Sequence, residues 1–192
     1  MTTSQPAGGC PVRREAGYLR VVGHSEVVAV VTDPETFSSG VSRFLQVPNG
    51  LDGEEHAAFR AVIDRFFTAE ALAELEPRLR DVARRIVAGL PRGEVTDVVG
   101  GMGTRYAVQA MLAWLGWEPD LEEELVEWVA DNAAATRSGE IERTRAVAEH
   151  FDEIIVGVLR PRLERLDEPA RDVTDQLLRQ QVQGRGLQHP EL

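Results

Sequence analysis

Asp52-Gly53-Glu54-Glu55-His56-Ala57-Ala58-Phe59-Arg60, running on to Phe66-Phe67-Thr68, is the stretch whose reading decides the fold. Asp52 and Glu55 stand at the spacing of a capping box, so a helix is expected to open here. Phe59, Val62, Ile63, Phe66 and Phe67 then fall on one helical face and supply an apolar stripe. His56 and Arg60 are four residues apart, on one side of that helix and at the edge of its stripe. An imidazole and a guanidinium fork at a core boundary suit an anion, a carboxylate or a phosphate. The plainer alternative is a surface pair helped by neighbouring acids such as Glu54 and Asp64.

Helical signals continue downstream. Thr68 is placed to cap a second helix, with Glu70 in its first turn favourable to the dipole. Leu72, Leu75, Leu79, Val82, Ile86 and Leu90 recur at steps of three and four, Pro77 marks a first turn or a bend, and Pro91-Arg92-Gly93 ends the run. Glu94 to Val99 reads as one short strand and Gly100 to Gly103 as a turn. Tyr106 to Leu115 is apolar nearly all round, the pattern of a buried helix, and Gly116 closes it. Leu121, Leu125, Trp128 and Val129 mark another helix, whose Glu122-Glu123-Glu124 start is a solvated, dipole-favoured turn. Ser138-Gly139 separates it from a long helix, Ile141 to about Leu166, with Pro161 as a kink. Asp172 to Gln183 reads as a last amphipathic helix.

Upstream, Tyr18 to Val22 alternates and is β-rich, so a short strand is expected. Gly23 breaks it, Ser25 caps a short helix through Val31, and Thr32-Asp33-Pro34 stops that helix. Phe37 to Gly50 is a loop with apolar members Val41, Phe44, Leu45 and Val47. Residues 1–16 read as a flexible leader, and 17–192 as one mainly helical domain with one or two short β-strands.

Composition narrows the function classes. The 192 residues carry a net charge of −11 and no lysine. That balance argues against a nucleic-acid backbone and against an anionic membrane as partner. No run of about 18 apolar residues is present and residues 1–16 lack a signal-peptide core, so a cytoplasmic location is expected. One cysteine, Cys10, allows no internal disulfide, and the four histidines, His24, His56, His150 and His189, show no metal-ligand spacing.

The opening stretch resembles the C-helix region of bacterial cytochromes P450, where a His-x-x-x-Arg pair reaches the haem propionates and a Phe-Thr opens the next helix. Thr32-Asp33-Pro34-Glu35-Thr36-Phe37-Ser38-Ser39 is similar to the family's segment before its variable loop. Tyr18 to Val31 resembles its first strand and B helix, Leu112 to Gly116 the end of its E helix, and Asp172-Val173-Thr174-Asp175-Gln176-Leu177-Leu178 the run leading to its central I helix. The resemblance covers residues 17–183 in order. It implies the N-terminal portion of the cytochrome P450 fold, haem as cofactor, His56 and Arg60 as propionate contacts, and Phe44, Leu45 and Val47 in the loop that covers the substrate. It also implies a small apolar substrate and a redox partner.

Three departures accompany the resemblance. No acid–Thr pair of the oxygen-activating kind is found. Gly100-Gly101-Met102-Gly103-Thr104 lacks the acid and comes too early. The loop bearing the ligand cysteine is missing, and Cys10 lies at the wrong end. His189-Pro190-Glu191-Leu192 resembles the segment just after the I helix, with no I helix before it. Three readings stay open: a haem-thiolate monooxygenase of which this is the N-terminal part, a haem-free helper or binding protein for a partner enzyme, and a relic of gene decay. A chain of this length without the I helix is expected to self-associate or to depend on a partner.

Overall fold

The computed structural model describes residues 10–41 and 45–187. Two compact units divide the chain, one up to residue 61 and one from residue 62.

In the first unit, β1 (Val12–Glu15) pairs antiparallel with β2 (Tyr18–Val21), Glu15 opposite Tyr18. Residues 12–15, read from sequence as leader, thus form a strand. Its signal is hidden because Val12-Arg13-Arg14-Glu15 carries one apolar residue, and pairing with β2 supplies what propensity does not. Gly17 makes the turn at φ +88°. Helix α1 (His24–Val31) starts from Gly23 without a side-chain cap, and the Ser25 hydroxyl donates to Glu26 instead. It ends at Thr32, whose hydroxyl donates to the Val28 carbonyl at 2.7 Å.

Helix α2 (Gly53–Asp64) is followed by a 3-10 turn at Arg65–Phe67. In the second unit α3 (Ala69–Ala88) begins at Thr68, whose hydroxyl accepts from the Ala71 N–H at 3.3 Å, as the sequence suggests. Residues 94–97 are not a strand. A strand needs a ladder partner for its backbone, and Val95 is fully exposed. Asp97 instead accepts from the Val99 and Gly100 N–H groups at 3.0 and 3.1 Å. That starts a π-helical turn, Val99–Gly103, running straight into α4 (Thr104–Leu115). Gly116 closes α4 in the left-handed conformation, φ +77°.

Helices α5 (Glu122–Ser138) and α6 (Ile141–Leu163) follow, broken at Gly139 with φ +70°. The core of this unit is Val108 and Leu112 of α4 against Leu125 of α5 and Ile154 of α6, with Trp117, Leu121, Val126 and Phe151 around it. Trp128 stacks on Phe151 at 4.2 Å between centroids and donates to the Val147 carbonyl at 2.9 Å. The Glu122–Glu124 turn is more than a solvated start. Arg105 of α4 pairs with Glu122 at 2.8 Å and Glu123 at 2.7 Å, and His150 of α6 lies 3.1 Å from Glu124.

The last expected helix is much shorter. Helix α7 spans Val173–Leu177, and the chain then forms a hairpin of β3 (Gln181–Val182) and β4 (Arg185–Gly186). Gln183 and Gly184 sit at φ +52° and +80°, the two-residue turn that matches strand twist. Val182 is 2% exposed, so burying it favours the hairpin over another helical turn.

A buried polar knot joins the ends of α4, α6 and α7. Arg162, 7% exposed, donates to the carbonyls of Val158 (2.9 Å) and Gly116 (2.7 Å) and to Asp172 (3.1 Å). Asp175, 1% exposed, accepts from Arg165 at 3.2 Å and from the Arg171 backbone N–H at 3.0 Å, and lies 3.5 Å from Arg162 Nε. Asp172 also caps α7 by accepting from the Asp175 N–H at 2.7 Å. The Thr174 hydroxyl donates to the Leu115 carbonyl at 2.8 Å and accepts from Trp117 Nε1 at 2.9 Å.

Burial acts to raise the Asp175 carboxyl, but the Arg171 N–H and the Arg165 and Arg162 charges outweigh it and hold the group below the ordinary carboxylate range. A depressed folded value stabilises the fold above the unfolded value of about 3.9 and loses that stabilisation as pH falls through the folded value. The stability advantage of the wild type over Asp175→Asn is therefore expected to be full at pH 6 and to shrink below about pH 4, read from urea midpoints across that range.

Candidate functional site

The site is built on α2 and the turn before it. Glu54 and Glu55 lie in the first helical turn, where acids are favoured. His56 and Arg60 follow one turn apart, and both side chains are half-buried at the edge of the face that buries Phe59. The helix therefore does bring the predicted pair to one side. Arg60 already takes part in an interaction within the fold.

Asp52, expected from sequence as the helix cap, bonds through its side chain to the preceding loop. Its Oδ2 accepts from the Ser38 hydroxyl at 2.6 Å and the Ser39 N–H at 2.9 Å, tying the loop to the start of α2. The Ser38 hydrogen bond chiefly holds the Asp52 carboxyl below its ordinary value, with burial opposing and the Ser39 groups and the His56 charge assisting. Asp52 thus stays ionised one turn before His56 and orients the helix entrance. Ser38 and Ser39 are fourteen and thirteen residues away, so spacing on the helix alone gave no sign of this clamp.

Leu45 is 51% exposed and Val47 is half-buried, in the segment leading to the 47–50 turn. Phe44 lies outside the described residues, as does the 189–192 stretch. Cavities among the described residues of the second unit lie along α3. One, of about 620 Å³, is an open groove lined by the Leu72, Ala73, Leu79 and Ala83 side of α3 with Tyr106. Another, about 520 Å³, lies between α3 and α4 and is lined by Arg78, Val82, Arg85, Gln109 and Trp117 among others. Neither lining includes His56 or Arg60.

Whether the residues fit a haem divides into two questions. At the propionate end the half-buried His56–Arg60 pair has the right donors for carboxylates. At the iron, Cys10 is exposed just before β1, and among the described residues no group of three or more His, Cys, Asp or Glu is arranged to hold a metal ion. No helix of the described residues is long and apolar enough to cross a membrane.

No family model matches the chain. Among curated proteins it is 29% identical over 186 residues to the erythromycin C-12 hydroxylase of Saccharopolyspora erythraea, covering 91% of this chain and 46% of that one. It is 26% identical over 172 residues to the probable cytochrome P450 127A1 of Sinorhizobium fredii, covering 85% and 40%. Among solved structures, ligand-free cytochrome P450 TbtJ1 superposes with a TM-score of 0.79 at 25% identity, covering 94% of this chain and 48% of that one. The open form of cytochrome P450 EryK from S. erythraea gives 0.68 at 29% identity over the same shares. The chain spans about half the length of the relatives it matches. In sequence and fold the chain is thus similar to cytochromes P450 over about half their length.

Proposed function

We propose that this chain carries the propionate-binding part of a haem-thiolate monooxygenase that inserts oxygen into a small apolar molecule, with electrons from a redox partner. The observation that carries the reading is the half-buried His56–Arg60 pair one turn apart on α2, in a chain similar to a hydroxylase over 91% of its length. When bound, haem supplies the oxygen chemistry. The residues of this chain supply orientation. Arg60 offers a planar fork to one carboxylate and His56 a ring N–H beside it, while Asp52 holds the preceding loop in place through Ser38 and Ser39.

The thiolate that this family sets on the iron has no candidate in α2 or its surroundings, and the reading requires it from residues beyond the 192. Phe44, Leu45 and Val47 are proposed to face the substrate from the loop before α2, in keeping with their apolar character. Soluble, cytoplasmic action is part of the same reading.

The test is the absorbance of the purified protein, reduced and treated with carbon monoxide. A red-shifted Soret band of the thiolate type supports the monooxygenase reading. No Soret band, even after added haemin, overturns it and leaves the haem-free helper. Where haem binds, Arg60→Ala is expected to weaken its retention about tenfold or more, the worth of one charge-assisted hydrogen bond. Arg143→Ala, on the exposed surface of α6, is expected to leave it unchanged. Equal haem content in the two variants sinks the propionate assignment.

A further inference from the structure

A helix of five residues is too short to hold itself together, yet α7 is formed, and both of its acids point into the knot. Asp172 uses Oδ1 to cap α7 and Oδ2 to accept from Arg162. Asp175 uses Oδ1 for Arg165 and Oδ2 for the Arg171 N–H. The cap Asp172 thus fastens α7 to Arg162 in the last turn of α6, and Asp175 fastens it to Arg165 and Arg171 in the connection that follows. Through the Arg162 bond to the Gly116 carbonyl, Asp172 also fastens it to the end of α4.

The positive groups facing them are Arg162 of α6 and Arg165 in the turn just after it. Arg171 turns its side chain to Glu168, and Arg179 donates to the carbonyls of Asp175, Leu166 and Glu168. Ties independent of the acids include the Thr174 hydroxyl with Trp117 and Leu115, the Arg179 bonds, the Arg65 hydrogen bond to Gln180 and the buried Val182. The cluster of Val108, Leu112, Leu125 and Ile154 lies in α4, α5 and α6, and Val182 of the hairpin is buried outside it.

We propose that residues 172–186 form a latch closed by the Asp172 and Asp175 carboxylates, which opens as one unit when either charge is lost while α3–α6 stay folded. Loss of the Asp175 charge takes the carboxylate from the half-buried Arg165 guanidinium, while Arg162 keeps Asp172 and two carbonyls. A charge that loses its partner in such a network must then find water. Opening α7 supplies that water without disturbing the apolar core. Segments with few buried apolar contacts are where local opening occurs.

The experiment is amide hydrogen exchange on the 192-residue chain at neutral pH, wild type against Asp175→Asn. The amides of residues 173–180 are expected to exchange about 100-fold faster or more in the variant. Those around Leu125 and Ile154 are expected to change by less than about threefold. Unchanged exchange in 173–180 overturns the proposal. Equal acceleration throughout α3–α6 also overturns it, since the knot would then belong to the core. Should Asp175→Asn not fold, Arg165→Gln removes one partner from the half-buried side. About tenfold acceleration confined to the same segment is then expected, and a uniform or absent effect refutes the latch.

Discussion

Arg162→Met is expected to lower the stability of the chain by about 3–5 kcal/mol, the usual loss when one partner of a buried ion pair is removed. Methionine fills much of the same space, so the effect is electrostatic rather than a cavity. Three acceptors lose their donor together, the Asp172 carboxylate and the carbonyls of Gly116 and Val158, and Asp175 loses a nearby charge at 3.5 Å. Opening of α7 into water would hold the loss near the lower figure. The comparison is Arg84→Met, whose partner Asp81 lies 2.6 Å away with both side chains well exposed. An exposed pair of that kind contributes about 0–1 kcal/mol. Urea unfolding followed by circular dichroism measures both variants, and equal losses would show that burial of Arg162 has no energetic consequence.

Gly116→Ala is expected to cost about 2–5 kcal/mol from two separable causes. The left-handed backbone at φ +77° disfavours any residue with a Cβ by about 1–2 kcal/mol. The added methyl would also stand 2.2 Å from Asp172 Cβ and 2.7 Å from Asp172 Oδ2, so α7 or the end of α4 must shift. Overpacking of that kind costs about 1–3 kcal/mol. Gly139→Ala isolates the first cause, because Gly139 sits at φ +70° with nothing within 4 Å of the new atom. Its expected cost is about 1–2 kcal/mol. A thermal or urea midpoint for Gly116→Ala no lower than for Gly139→Ala would refute the close packing of Asp172 against α4.

The elements legible in the sequence are those whose signals are local. Thr68 caps α3, Gly116 ends α4 and Ser138-Gly139 divides α5 from α6, because a hydroxyl or a left-handed glycine acts on the backbone within a turn of itself. His56 and Arg60 were legible for the same reason, since a spacing of four fixes a shared side of any helix. Misreadings fell where distant residues decide. Val95 and its neighbours have strand-forming side chains but no strand to pair with. Asp172 to Gln183 has a helical pattern, and burial of Val182 with a turn at Gln183-Gly184 wins beyond Leu177. Residues 12–15 look like leader until Val21 and Tyr18 stand opposite them.

By itself, then, the sequence determined a mainly helical chain that resembles cytochromes P450, with His56 and Arg60 on one side of its most clearly signalled helix. Periodicity, caps and a spaced His–Arg pair are properties of consecutive residues. Tertiary structure alone decided that Arg162, Asp172 and Asp175 share one buried knot with the carbonyl of Gly116, 46 residues before Arg162. It alone decided that Asp52 clamps Ser38 and Ser39 and that Arg105 gathers Glu122 and Glu123. In a chain rich in arginine and acids every such partner has many rivals by letters. Only the packing that removes water from a few of them, and leaves the rest solvated, selects which charges pair.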